Sequence, residues 1–420
     1  MLFSYNFFIN HFHKYSRPIE SNLDASLPKK YLPLLRYVES YWKKITFGAP
    51  QDRGIVIGLP HPFVSPNNGF YKGDQFCWDT YFITLGLMAS GRIKLAKGMA
   101  ENLAHLFRRF GLIPLRNRIY NLGTSQIPFF TSIALEIFGE TGDKKWLAKM
   151  GRVAEDELKN YWLVGHNAER HLIYRGLSRY ADHFITHATA EHESGWDMTS
   201  RFDEKCLNYL PVDLNSCLYK YETDLARIAR LSGNWKKEWF YLSAAAKRAK
   251  TMRALMWDKR VGFFFDYNHR EKRRSNFYSL AGFYPLWAGL ATQSEAEAAR
   301  KNLKHFEYAG GLANTGRGRL SKEFKQWDYP NGWANQHWIV IKGLLNYGFR
   351  DDALRIAEKW LDLNIRVFKK TGKMWEKYDV VKMAVGKSGR YKTQSGFGWT
   401  NSVYIRLICE FYPRYFSARN

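Results

Sequence analysis

One local arrangement recurs five times in this chain. A nearly all-apolar helix is followed by a short turn with glycine or a polar residue, then by a second helix charged along one face. The five stretches are "FITLGLMASGRIKLAKGMAENLAHLFRRFG", "SIALEIFGETGDKKWLAKMGRVAEDEL", "DLARIARLSGNWKKEWFYLSAAAKRAKTM", "LWAGLATQSEAEAARKNLKHF" and "WIVIKGLLNYGFRDDALRIAEKWLDL". A helix apolar on every side belongs inside a fold, and one with a charged face borders solvent. The glycines after the first helices suit left-handed caps. Asp143 and Asn234 suit the caps that open second helices. The turns fall near residues 91, 142, 233, 295 and 348, a period of about 50–60 residues with one gap of about 90, as expected of stacked helical hairpins. Further helices near 30–44 and 400–412 bring the set to twelve. The predicted fold is all-α, an (α/α)6 barrel. The alternative is an open α-solenoid that binds a partner along its length.

The connections separate these two. Those leading from a second helix to the next first helix are long and rich in Trp, Asn, Gln, Asp and Glu. They include "RYADHF", "ESGWDMTSRF", "QWDYPNGWANQHW", "GKMWEKYDVV" and "SGFGWTNSVY", whereas the hairpin turns are short and plain. In a closed toroid all the long connections gather at one end, the plan of a scaffold that bears a site on one face. "MWDKRVGFFFDYN" reads as a small β-hairpin among them. The domain reading is an N-terminal arm over 1–29 and one catalytic barrel over 30–420.

The charge balance is +25 from 64 Lys and Arg against 39 Asp and Glu. The basic residues are scattered over helix faces, and there is no zinc-finger or RNP sequence, so no nucleic-acid partner is expected. Four widely spaced cysteines, Cys77, Cys206, Cys217 and Cys409, fit a reducing compartment better than a disulfide framework. The aromatic N-terminus "MLFSYNFFINHFHKYSRP" lacks a basic leader region and a small-residue cleavage site. No apolar run reaches the ~18 residues of a membrane span. The expectation is a cytoplasmic monomer acting on a small molecule.

Tryptophan beside carboxylates and amides is what a sugar site requires. Indole stacks on the apolar face of a pyranose, the hydroxyls need paired donors and acceptors, and glycoside hydrolysis needs two carboxyl groups in different protonation states. The candidates are Asp79, Asp197, Asp203, Asp328, Glu376 and Asp379. A metal reading competes: "DHFITHATAEHE" sets His183 and His187 four apart, then Glu191, His192 and Glu193. It has no HExxH pattern and its spacing breaks before His192, so no metal or cofactor is expected.

"ESGWDMTSRF", "QWDYPNGWANQHW", "EKYDV" and "GFGWTN", in that order, resemble the trehalases of glycoside hydrolase family 37. "PNNGFYKGDQFCWDTYF" and "IPLRNRIYNLGTSQIPFF" look like weaker versions of two further trehalase motifs. The resemblance implies an (α/α)6 barrel and an inverting mechanism, with Asp197 as general acid and Glu376 as general base. It implies that Trp78 and Asp79 grip the non-reducing sugar. It adds Phe70, Gln126, Gly195, Trp196, Trp327, Asp328, Asn331, Trp333 and Trp399 to the substrate pocket. The chain departs from the family where the second sugar is read. Family arginines fall at Gly69 and Thr124, an asparagine at Leu115, and an acid near Arg390, and the loop between "RYAD" and "ESGWD" is short. The substrate is therefore expected to be trehalose or another small α-glucoside, with Arg116, Arg118 and Arg390 available to an anionic or smaller aglycone such as that of glucosylglycerate. The different-class alternative is a catalytically retired, carbohydrate-binding toroid.

Overall fold

The computed structural model describes residues 27–163, 170–318 and 320–413, so most of the expected N-terminal arm (1–26) lies outside the described residues. The helices are α1 Leu32–Ile45, α2 Cys77–Ala89, α3 Ile93–Phe110, α4 Phe130–Thr141, α5 Lys144–Glu157, α6 His187–Glu193, α7 Val212–Leu231, α8 Trp235–Met256, α9 Tyr284–Trp287, α10 Gln293–Arg300, α11 Ala334–Asn346, α12 Arg350–Thr371 and α13 Gly398–Phe411. Helices α2, α4, α7, α9, α11 and α13 form the inner ring, each packing on the next, and α13 packs back on α2 and closes the circle. That closure excludes the open solenoid. The ring closes tightly because Gly86 of α2 lies against Ser402 of α13, where a Cβ would collide with the serine backbone. The inner faces follow the apolar pattern of the sequence: every residue from Cys77 to Met88 is buried. The outer helices are two-sided. In α3, Ala96, Met99, Leu103 and Leu106 point inward.

The first five inner helices each pass to an outer partner through a glycine with positive φ: Gly91, Gly142, Gly233, Gly289 and Gly348. Asp143 caps α5 by accepting from Trp146 N, and Asn234 caps α8 by accepting from Lys237 N. The fourth hairpin differs from expectation. It turns at Gly289, not near 295, because Thr292 and Glu295 form a reciprocal capping box that starts α10 at Gln293. Its inner helix is only four residues long, preceded by a 3-10 turn over Leu280–Phe283. The long connections carry short antiparallel pairings. Trp257–Asp258 pairs with Phe263–Phe264, the expected hairpin. Asn331–Trp333 pairs with Lys377–Asp379, which ties the "PNGW" segment to the "EKYD" segment. No helix among the described residues is long and apolar enough to cross a membrane.

Candidate active site

The long connections meet over one mouth of the ring and enclose a cavity of about 350 Å³. Its floor is tryptophan. Trp327 and Trp333 stack with ring centroids 3.9 Å apart and planes 3° apart, Trp78 lies 5.6 Å from Trp327, and Trp399 sits edge-on to Trp78 and Trp333. Such rings offer flat apolar surface at the base of a polar cup. Gly195 brings the "SGWD" loop onto this floor. Its φ is +72°, and a Cβ there would meet the Trp78 ring at 2.7 Å, so only glycine fits both the turn and the approach. At the rim Phe70 is 68% exposed and stacks on Tyr391 at 6.1 Å.

Three carboxyls line the cavity: Asp79, Asp197 and Glu376. Asp197 has a side chain 27% exposed, facing this cavity. Burial pushes its carboxyl up to about 7. Arg390, whose Nη1 is 3.9 Å from Asp197 Oδ2, pulls it down, and Glu376 and Glu191 push it further up. Asp197 is therefore a carboxyl able to hold a proton near neutral pH. Glu376 is nearly fully buried and acts as an acceptor: Lys377 Nζ donates to Oε2 at 2.9 Å and Tyr391 OH to Oε1 at 2.7 Å. Asp79 sits at the base of α2, where burial and then Glu376 raise its carboxyl well above the usual range. Gln126 is buried at the cavity wall, with Oε1 accepting from Trp78 N at 3.4 Å.

The "QWDYPNGW" segment clamps the loop that carries Asp197. Asp328 accepts from Thr199 Oγ1 at 2.8 Å and from both N and Oγ of Ser200, at 3.0 and 2.5 Å. Gln326 Nε2 donates to Asp197 O at 2.5 Å, and Trp327 N to Met198 O at 3.2 Å. Beyond the clamp, fully buried Arg201 ion-pairs with Asp213 and Asp266 at 2.6 and 2.7 Å and fixes the loop to the start of α7.

Of the expected pocket residues, Phe70, Trp78, Asp79, Gln126, Gly195, Asp197, Trp327, Trp333, Glu376 and Trp399 line the cavity. Three others stand behind it. Asp328 faces the Thr199–Ser200 turn, as above. Asn331 donates to Gln326 O and Lys387 O and accepts from Lys387 N. Trp196 is fully buried beneath Trp327, with the Arg201 guanidinium over its face. Two further carboxylate candidates do not line the cavity: Asp203 is exposed at φ +50°, and Asp379, at the end of the Lys377–Asp379 strand, accepts from Val381 N and Lys382 N. The histidine pair separates as well. Thr186 caps α6, so His183 lies before the helix and shares no face with His187. Glu193 is anchored by Tyr161 OH, His171 Nε2 and Ala181 N. Among the described residues no group of three metal-ligating side chains is assembled.

Several wall residues escaped the sequence reading: Tyr71, Phe76, Asn121, His192, Tyr391 and Phe397. Tyr391 lies five residues before the "GFGWTN" block, and only its bond to Glu376 marks it. Of the departures from the family pattern, Leu115 lines the cavity, while Thr124 is used elsewhere, donating to Asp182 Oδ2 at 3.0 Å.

Comparison with known proteins agrees with this geometry. The trehalase family profile matches residues 19–183 and 166–412. The periplasmic trehalase of Xanthomonas campestris pv. campestris (strain B100) is 31% identical over 94% of this chain and 77% of that protein. The cytosolic neutral trehalase of Beauveria bassiana (strain ARSEF 2860) is 32% identical over 82% of this chain and 58% of that protein. In structure, the neutral trehalase of Saccharomyces cerevisiae matches with a TM-score of 0.76 at 28% identity, covering 91% of this chain and 82% of that one. A closed (α/α)6 barrel with a carboxyl-bearing tryptophan cup, matched by this profile along nearly its whole length, places the chain in the trehalase family of glycoside hydrolases.

Proposed function

We propose that the enzyme hydrolyses the α-glucosidic bond of a small α-glucoside with inversion of configuration, Asp197 acting as general acid and Glu376 as general base. Trehalose, the sugar in the names of its relatives, is the first candidate substrate. The observation that carries this reading is the difference between two carboxyls on one cavity. Asp197 holds its proton up to about 7, and Glu376 is met by Lys377 and Tyr391 as an acceptor.

In the reaction Asp197 gives its proton to the glycosidic oxygen as the bond to C1 breaks. Glu376 takes a proton from the water that attacks C1 from the opposite face. The products are β-glucose and the free aglycone, and the two carboxyls return to their starting states through solvent. No cofactor takes part. Trp78, Trp327, Trp333 and Trp399 support the sugar ring, and Asp79 and Gln126 meet its hydroxyls. Asp328, Asn331 and Trp196 hold the cup rather than the sugar. The chain beyond the arm at 1–29 works as one catalytic domain, and as a monomer. Four free cysteines, three of them buried, favour the cytoplasm.

The test is proton NMR of the first-formed glucose, combined with Asp197→Asn and Glu376→Gln. The β-anomer should appear first, and each variant should lose ~10²–10⁴-fold in kcat while keeping its fold. An initial α-anomer refutes the role of Glu376. Sugar binding without turnover of any α-glucoside would favour the non-catalytic toroid instead.

A further inference from the structure

Of the three arginines available to an anionic aglycone, only Arg390 is positioned for that role. Arg118 does not line the cavity. Arg116 does, but its guanidinium is engaged: Nη1 lies 2.7 Å from Asp74 Oδ2 and Nε donates to Asn121 Oδ1 at 3.0 Å. Arg118 Nε donates to the other oxygen of the same nearly buried carboxylate at 2.5 Å.

Arg390 is different. It lines the cavity with its side chain 51% exposed, meets Nε2 of His192, and has no carboxylate closer than Asp197 at 3.9 Å among the described residues. A general acid works in its protonated form, so while the substrate binds and until the proton is transferred Asp197 is neutral and gives Arg390 no counter-charge. His192 supplies none. Burial and the neighbouring Arg390 lower its proton affinity, and a neutral ring carries no negative charge. Arg116 and Arg118 share one aspartate, which leaves a further net positive charge on this wall.

The site of this charge follows from the chemistry. The leaving oxygen must lie within hydrogen-bond reach of Asp197 and therefore close to the Arg390 guanidinium. A carboxylate on the carbon bearing that oxygen lies two bonds from it, where a planar guanidinium can pair with both of its oxygens. We propose that Arg390 selects α-glucosides whose aglycone is a 2-hydroxy acid, pairing with the carboxylate next to the glycosidic oxygen. This rests on the hydrolytic reading of Asp197 given above. A phosphate further along the aglycone shares the charge but not the position.

The experiment compares matched pairs that differ only in charge: 2-O-α-glucosylglycerate against 2-O-α-glucosylglycerol, and trehalose 6-phosphate against trehalose. Turnover is read on the wild-type enzyme and Arg390→Gln. Binding is read by calorimetry on Asp197→Asn, which mimics the protonated acid, and on the double variant with Arg390→Gln. The wild type should favour glucosylglycerate over glucosylglycerol by at least about tenfold in kcat/KM, equivalent to 1.4 kcal/mol. The same gap should appear in Kd, shrink with added salt, and vanish in the Arg390→Gln backgrounds. The phosphate pair should show no comparable gap. Equal handling of the carboxylate pair, a gap that survives Arg390→Gln, or a gain confined to the phosphate pair overturns the proposal. If no α-glucoside is turned over, the hydrolytic reading fails, and the calorimetric comparison still decides the role of Arg390.

Discussion

Arg390→Gln should move the alkaline limb of the pH–rate profile upward. On the proposed acid role, the limb reports loss of the proton on Asp197, which burial places at about 7 despite the pull of Arg390. Removing the cation withdraws support from the aspartate anion, so its proton affinity rises and activity persists to higher pH. The size follows from the 3.9 Å separation. Coulomb's law gives about 1 kcal/mol there at the dielectric of water and about 4 kcal/mol at an effective dielectric of 20. Arg390 is half exposed, so the lower figure governs, and about 1 kcal/mol corresponds to roughly 0.7 pH unit. The assay is kcat/KM against pH, which reads the free enzyme. Trehalose suits it better than a nitrophenyl glucoside, because nitrophenolate leaves without protonation and hides the acid. Burial still lowers the proton affinity of His192 in the variant, while the lowering that Arg390 adds is lost with it. A limb that stays in place, or moves down, would refute both the acid role of Asp197 and its coupling to Arg390.

Other consequences concern the support of the site. Asp328→Ala removes the acceptor for Thr199 and Ser200 and loosens the loop carrying Asp197; kcat should fall on the order of 10²-fold, while glucose affinity measured by tryptophan fluorescence changes little. Arg201→Met leaves Asp213 and Asp266 buried without their cation, and urea unfolding should show a loss of about 3–5 kcal/mol; a change under about 1 kcal/mol would mean that the pair adds little to folding. Gly195→Ala strains a left-handed residue against Trp78, and sugar affinity should fall with kcat because the floor itself is displaced.

The ring was legible because it depends on periodicity. Apolar helices alternating with one-sided helices dictate an inner and an outer layer whatever the partners, and Asp143 and Asn234 act on groups within three residues of themselves. The fourth turn was misplaced where the inner helix shrinks to one turn and periodicity has little to act on. The local signal that fixes it, Thr292 with Glu295, lies in the sequence as "TQSE". The tryptophans and the three carboxyls of the cup came from motif order. Their sorting into cavity wall and scaffold did not, because "WD" reads alike at Trp78–Asp79, where the aspartate faces the cavity, and at Trp327–Asp328, where it faces Ser200.

The "ESGWDMTSRF" stretch and the residue after it show why such sorting needs the tertiary structure. Glu193, Asp197 and Asp203 stand within eleven residues and have three fates. Glu193 meets Tyr161 and His171, whose interactions pull its carboxyl below the usual range despite burial, so it serves as a charged anchor. Asp197 has Arg390 at 3.9 Å and its own backbone amide to set against burial, and keeps its proton to about 7. Asp203 stands in solvent. The intrinsic acidity of the three is nearly the same, so the differences arise from partners far from them in sequence: His171 and Tyr161 on one side of the loop, Arg390 nearly two hundred residues away on the other. A hydrolase needs one carboxyl that stays protonated beside one that does not. On the proposed role of Asp197, the first is the carboxyl that lacks the close side-chain donors met by Glu193 and Glu376, so adding such a donor near Asp197 should reduce activity even though it would strengthen the local structure.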